Sequence, residues 1–215
     1  MKTNASLNKS SFYSSENGLC EKSELSRFRL VDVKDEIQIK EVDLFIGTKI
    51  EHDSNYRLTY ILPIVGSCEV YVDDGKCVNV QSEEVLCISN SRKLTLANNI
   101  NETVSFLIIS FGVVFETSKL ICEKSKFVLD EKNKLKRPGS LSFMNVGVYD
   151  SRFVEVFKPS SHLKGILFYT VNGCFEVANR LLNKRDILYL KEMPEIEFES
   201  LTEMAILLVI EIKNK

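Results

Sequence analysis

Two histidines, His52 and His162, are the only imidazoles in the chain, so they limit any chemistry that needs a metal ligand or a general base. His52 stands between Glu51 and Asp53. An imidazole flanked by two carboxylates could form an unusual metal site, because both groups bind divalent metals. His162 stands in a turn-like segment of the second half of the chain, where we expect an exposed loop histidine.

Other catalytic patterns are weak. The six cysteines contain no CxxC pair, and those among apolar neighbours (Cys68, Cys87 and Cys174) are predicted to be small buried residues. Acidic pairs such as Glu83 and Glu84 stand at turns, where carboxylates are usually solvated. The sequence has neither a glycine-rich phosphate loop nor a Gly-x-Ser-x-Gly elbow.

Composition excludes several classes of protein. The 215 residues are 44% apolar and 27% charged, which suits a folded chain with a real core. The 28 basic and 30 acidic residues give a net charge of −2, so binding to nucleic acid by charge is not expected. Neither a signal peptide nor an apolar stretch of membrane-spanning length is seen, and a cytoplasmic location without a membrane partner is the expectation.

The elements that must position any site are short apolar runs of strand length, rich in Val, Ile, Tyr and Phe. Turn signals such as Asp73–Gly75 separate them. No long stretch has the 3.6-residue apolar period, and the best helical candidate, Thr117–Lys126, is weak. This pattern predicts an all-β sandwich or barrel.

The two halves of the chain can be aligned with each other. A duplicated β-domain would give this match, and so would two independent β-meanders. The aligned sets are Gly66, Glu69 and Val70 with Gly173, Glu176 and Val177; Glu84–Leu86 with Asp186–Leu188; Leu94–Leu96 with Ile196–Phe198; and Ile108 with Leu208.

Composition also suggests the domain boundaries. Residues 1–26 are rich in Ser, Asn, Lys and Glu and are predicted to form a tail or a strap on the surface. Residues 27–115 form the predicted N-terminal domain, and residues 141–215 form the C-terminal one. The charged stretch 116–140, which contains a Pro-Gly pair, is the predicted linker.

The order of these motifs resembles that of the pirin-like bicupins, which have two cupin jelly rolls in one chain. The C-terminal half carries most of the resemblance, which extends over about residues 40–215. The matching segments are Phe127–Leu135, Val171–Val177, Arg180–Asp186 and Glu203–Glu211. The resemblance implies an all-β fold with two tandem cupin (double-stranded β-helix or jelly-roll) barrels.

The resemblance also implies a metal site in the N-terminal cupin, with three histidines and a glutamate around Fe, Mn, Ni or Cu. When the motif is placed on Gly47–Gly66, its first histidine is His52. Ser54 takes the second position, Thr59 takes the glutamate position, and the last histidine falls near Leu96. One ligand of four remains, so we expect no cofactor and a ligand pocket lined by these four residues.

Three functions follow from the resemblance. The first is a pirin-related bicupin that binds a small molecule or a protein partner and has no catalytic residues. The second is a metal-dependent dioxygenase of the quercetinase type. The third, by analogy with nuclear members of the family, is a regulatory partner of a transcription factor. The sequence identifies neither the ligand, the partner nor the oligomeric state.

Overall fold

The apolar runs form β-strands throughout the described part of the chain, as their strand length and their content of Val, Ile, Tyr and Phe predict. The computed structural model describes residues 10–16, 18–33, 37–53, 58–73, 75–91, 93–112, 120–127, 129–139, 143–160, 163–191 and 193–213. These residues form twenty strands and no helix. No helix among them could therefore cross a membrane.

The strands are numbered in chain order. The first ten are β1 Ser10–Tyr13, β2 Leu19–Lys22, β3 Ser26–Val33, β4 Ile37–Leu44, β5 Lys49–Asp53, β6 Leu58–Val65, β7 Ser67–Val72, β8 Lys76–Gln81, β9 Glu84–Ser89 and β10 Lys93–Ala97. The others are β11 Val104–Phe111, β12 Ile121–Lys126, β13 Met144–Tyr149, β14 Val154–Phe157, β15 Leu163–Asn172, β16 Phe175–Val177, β17 Arg180–Leu182, β18 Ile187–Leu190, β19 Ile196–Ser200 and β20 Ala205–Lys213.

The described residues divide into two compact units. The N-terminal unit (Gly18–Phe127) has a large sheet of order β12-β9-β6-β11-β4-β3-β2 and a small sheet of order β5-β10-β7-β8. The C-terminal unit (Met1–Asn17 with Val128–Lys215) has sheets of order β1-β18-β15-β20-β13 and β14-β19-β16-β17. The two sheets of a unit are separate in the described residues, so each unit is an open sandwich and not a closed barrel.

The two units share one topology. The order β9-β6-β11-β4 in one large sheet matches β18-β15-β20-β13 in the other, and the two small sheets match strand for strand. The residues aligned from the sequence lie on equivalent strands, but Ile108 and Leu208 are one position out of step. Ile108 lies in its unit's core cluster, whereas Val209, and not Leu208, lies in the other.

Each core is formed by side chains that alternate inward from both sheets. The N-terminal core is mainly aliphatic, with Val70, Leu94 and Ile108 among its buried residues. The C-terminal core contains a cluster of aromatic rings, in which the ring of Tyr149 meets that of Phe198 edge-on with centroids 5.3 Å apart. These cores determine which side chains can face the interior and must therefore be apolar or hydrogen-bonded.

A glycine stands at the same turn in each unit. Gly66 connects β6 to β7 with φ of 78°, and Gly173 follows β15 with φ of 77°. This conformation is easily adopted only by glycine. At Gly173 a Cβ atom would also lie 2.3 Å from Oγ1 of Thr202, so no larger residue fits without a shift.

A carboxylate anchors the equivalent hairpin turn and the edge strand of each large sheet. Glu84 Oε2 accepts a hydrogen bond from the backbone N–H of Gln81 at 2.9 Å and lies 3.0 Å from Nζ of Lys124 on β12. Asp186 accepts hydrogen bonds from the backbone N–H of Asn183 at 2.8 Å and of Ser15, just after β1, at 2.5 Å. The edge strands β12 and β1 pair with β9 and β18, which begin at or beside these carboxylates.

The structure gives local detail where the sequence predicted a tail and a linker. Residues 10–13 and 19–22, within the predicted tail or strap 1–26, form β1 and β2, and these strands belong to different units. Residues 121–126 of the weak helical candidate form strand β12. Its apolar residues are few, and pairing with β9 supplies the backbone hydrogen bonds that a helix would otherwise provide.

We predict that Glu84→Gln removes a pH-dependent contribution to stability. Partial burial would raise the pKa of Glu84, but the Gln81 N–H and the Lys124 ammonium outweigh this effect and lower it. A carboxyl whose pKa is lowered on folding stabilises the protein above its unfolded pKa of about 4.3, and this stability is lost as pH falls through the folded pKa. In urea unfolding at pH 7, the wild type should therefore have a higher free energy of unfolding than Glu84→Gln. At pH 3 the two free energies should be equal.

Glu83→Gln is the matched control, because Glu83 is adjacent, exposed and equally charged. It should unfold like the wild type at both pH values. An equal loss in the two variants would contradict the anchoring role of Glu84.

Candidate functional site

His52 lies on β5, at the edge of the N-terminal unit's small sheet. Its register partner on β10 is Leu94, a fully buried residue of the core cluster. Directly opposed residues of an antiparallel pair point to the same face, so the imidazole faces the interior. Only 5% of its surface is exposed.

Two hydroxyls of the large sheet meet this imidazole. Thr59 near the start of β6 and Ser110 near the end of β11 are register partners, and both are buried. Ser110 Oγ lies 3.2 Å from Nε2 of His52 and 3.3 Å from Oγ1 of Thr59. The three side chains form a hydrogen-bonded chain that joins the two sheets, which we call the His52 triad.

A polar row leads from the His52 triad to the surface. On β4, Gln38 is the register partner of Ser110, and on β3, Asp32 is the register partner of Gln38. Gln38 Nε2 donates to Oδ1 of Asp32 at 3.1 Å. Burial decreases along the row from the fully buried Ser110 through the half-buried Gln38 to the exposed Asp32. This polar end of the sandwich, where β6 begins and β11 ends, is called the mouth.

The structure does not pair Leu96, which was also predicted for the pocket, with His52. Leu96 is fully buried in the core, where its register partners are Ile50 and Val70. It lies two residues after Leu94, the register partner of His52, on β10. Ser54 and His162 lie outside the described residues. The Glu51 carboxylate is exposed and lies 2.8 Å from Nζ of Lys93, so it does not accompany the imidazole inward.

Known structures share this architecture. The pirin YhhW from Escherichia coli in complex with nickel(II) aligns with a TM-score of 0.73 and 12% identity, over 96% of this chain and 100% of its own. GK1651 from Geobacillus kaustophilus aligns with a TM-score of 0.72 and 12% identity, over 95% and 97%. A quercetin 2,3-dioxygenase from Acinetobacter baumannii aligns with a TM-score of 0.68 and 11% identity, over 97% and 80%.

The chain has a pirin-like bicupin fold. The alignment extends over nearly the whole chain, and the fold predicted from the order of the motifs is therefore confirmed. No protein-family model and no curated protein sequence matches the chain.

The comparison also corrects one prediction. We expected no cofactor. As an inference from the fold this expectation is wrong, because YhhW has the same fold and its structure is in complex with nickel(II). The His52 triad nevertheless does not by itself fit a transition metal, because one imidazole and two neutral hydroxyls lack the further imidazole or carboxylate ligands of such sites. No group of three or more His, Cys, Asp or Glu in the described part of this pirin-like fold could hold a metal ion.

The two buried cysteines of the N-terminal unit, Cys68 and Cys87, are not suited to thiol chemistry. Burial raises the pKa of the Cys68 and Cys87 thiols to about 12, so both are protonated at neutral pH. Cys68 and Cys87 pack as small apolar residues, as their neighbours in the sequence predict. The same prediction is wrong for Cys174, which is only partly buried, and whose Sγ lies 3.5 Å from Oδ1 of Asn183 at the surface.

Sequence reasoning missed Ser110. The available signal was a single hydroxyl residue in the otherwise apolar end of β11, Leu107–Phe111. A polar residue that interrupts a run of buried apolar ones needs a hydrogen-bond partner inside the protein. The identity of that partner depends on the pairing of β11 with β6 and on the position of β5 across the core.

We predict that Ser110→Ala lowers the free energy of unfolding by about 1–3 kcal/mol, because both His52 and Thr59 lose the buried hydroxyl to which they bond. Ser82→Ala is the control in the same unit, since it removes an exposed hydroxyl that bonds to the neutral backbone carbonyl of Gly66. Urea unfolding at pH 7 measures both. An equal loss of stability would mean that the His52 triad has no special role in the core.

Proposed function

We propose that the N-terminal unit binds a small molecule through the His52 triad. The observation that supports this most is the row of polar register partners from buried Ser110 through Gln38 to exposed Asp32, in a sandwich whose core is otherwise mainly aliphatic. Ligand sites typically combine apolar walls with a few convergent polar groups. A polar network that served only to hold the two sheets together would not need to extend to the surface.

The chemistry of the triad favours an uncharged or anionic ligand with several hydroxyls. The hydroxyls of Thr59 and Ser110 can each donate or accept a hydrogen bond, and neutral imidazole offers one donor and one acceptor. None of these three groups carries a fixed negative charge, but the Asp32 carboxylate at the mouth would repel an anion, so the uncharged form of such a ligand is favoured. A hydroxylated ligand could exchange hydrogen bonds with the triad without leaving a buried polar atom unsatisfied.

Quercetin is a suitable probe, because it is a flat polyhydroxylated molecule and a dioxygenase of the same fold is named for it. We predict a saturable change in the absorbance or fluorescence of quercetin on addition of the wild-type protein under anaerobic conditions. His52→Ala and Ser110→Ala should each weaken binding by about tenfold, which is the effect expected from the loss of one buried hydrogen bond.

Ser105→Ala should bind quercetin as the wild type does, since Ser105 bonds outside the core cluster. Thermal unfolding of each variant first establishes that it is folded. Absence of saturable binding, or equal weakening by Ser105→Ala, would contradict a ligand site at the triad.

A metal-dependent dioxygenase is the second candidate function. It is favoured by the shared fold with quercetin 2,3-dioxygenase and with a pirin in complex with nickel(II). It requires ligands in addition to His52, and residues 54–57, which follow β5, lie outside the described part of the chain.

Nickel(II) binding separates the two candidates. In the dioxygenase, His52→Ala should lower bound nickel(II) at least tenfold in native mass spectrometry, and nickel-loaded protein should consume quercetin together with O₂. Equal nickel(II) in wild type and His52→Ala, with quercetin bound but not consumed, would contradict it. The purified protein is also assayed for metal by elemental mass spectrometry before any metal is added.

A further inference from the structure

The C-terminal unit has an equivalent mouth with different chemistry. Ile166 and Glu211 are register partners on β15 and β20, as Thr59 and Ser110 are on β6 and β11. Phe157 on β14 pairs with Ile196 on β19, as His52 pairs with Leu94. The positions of the His52 triad are therefore taken by Phe157, Ile166 and Glu211.

A cavity of about 320 Å³ lies at this mouth. That volume is at the lower end of the range for small-molecule sites. Ile166 belongs to the core cluster, and both Leu163 and Met193 pack against it, so the cavity opens directly onto the core. The side chains that line the cavity are apolar except that of Ser160. They belong to Pro159, Ser160, Leu163, Ile166, Met193 and Pro194.

Glu211 holds Ser160 in a fixed orientation. The carboxylate is 2% exposed, and Oε1 accepts a hydrogen bond from the backbone N–H of Ser160 at 2.8 Å. The Ser160 hydroxyl donates to both carboxylate oxygens at 3.0 Å, and Nη2 of Arg137 lies 2.5 Å from Oε2. The ion pair offsets the charge of the buried carboxylate, and a buried charge must be paired in this way.

This arrangement determines what the cavity can recognise. Because the hydroxyl hydrogen of Ser160 is directed at Glu211, the lone pairs of its Oγ are available as acceptors. The backbone N–H of the same residue is also engaged by Glu211. A ligand therefore meets a hydrogen-bond acceptor among apolar walls, next to an ion pair without net charge.

We propose that the C-terminal unit binds a small, uncharged, mainly apolar molecule with one hydroxyl, which donates to Oγ of Ser160. This ligand class differs from the polyhydroxylated class assigned to the His52 triad, and the proposal does not depend on that one. A phenol has the required form, since it is uncharged at pH 7 and has one donor on an apolar ring.

Ligand-observed fluorine NMR with 4-fluorophenol tests the proposal, and 4-fluorotoluene serves as the probe that lacks the donor. We expect saturable binding of 4-fluorophenol to the wild-type chain, weakened about threefold to tenfold by Ser160→Ala. Binding of 4-fluorotoluene should be unchanged by Ser160→Ala. Met193→Trp, which fills the cavity, should abolish binding of both probes.

Three controls keep these outcomes separable. Ser151→Ala removes a hydroxyl of the same unit that bonds to the carbonyl of Leu201 and does not line the cavity. Met204→Trp places the same large ring at an exposed turn. His52→Ala changes only the N-terminal unit. All three should bind 4-fluorophenol as the wild type does.

The proposal would be overturned if the wild type did not bind 4-fluorophenol saturably, or if Met193→Trp bound it as tightly as the wild type does. Equal weakening of both probes by Ser160→Ala would overturn the role of its Oγ as acceptor.

Discussion

Water is excluded from the space between the two sheets of each unit, so every side chain that points there must be apolar or find a hydrogen-bond partner. Most positions meet this constraint with aliphatic or aromatic residues. Two exceptions are well hydrogen-bonded: His52 reaches from one sheet to Ser110 on the other, and the buried carboxylate of Glu211 engages Ser160 and Arg137. The same constraint that produces the core therefore also identifies the positions that can do chemistry.

Much of the fold could be predicted because this constraint has a period of two along a strand. Strands β7 and β19 show it clearly, whereas the central strands β6, β11 and β15 are continuous apolar runs that are recognised by their length and composition. The matched turns show that the pattern occurs twice. The edge strands β2 and β12 do not show it. β2 is exposed along its whole length, and β12 is half exposed, so their backbone pairing with β3 and β9 holds them in place and leaves little trace in the side-chain pattern.

The site was less accessible to sequence reasoning. The motif placed His52 and Thr59 near each other, and the structure joins them through Ser110, whose contacts are 58 and 51 residues distant in sequence. Contacts at such separations depend on the register of three strands, which no local pattern reveals. Leu96 illustrates the same difficulty, because a motif fixes a position along a strand only approximately, and the register partner of His52 is Leu94, two residues earlier on β10.

Within each unit, the turn glycine and the turn carboxylate lie at the far end of the sandwich from its mouth: Thr59 stands near the start of β6, whereas Gly66 follows its last residue. The same holds for Ile166 and Gly173 on β15. Residues that specify the chain path are thus separate from residues that specify recognition. Such a scaffold is evolvable, because substitutions at one end can alter selectivity while the other end preserves the topology. A chain with two copies of it can acquire a new specificity in one half and retain the old one in the other.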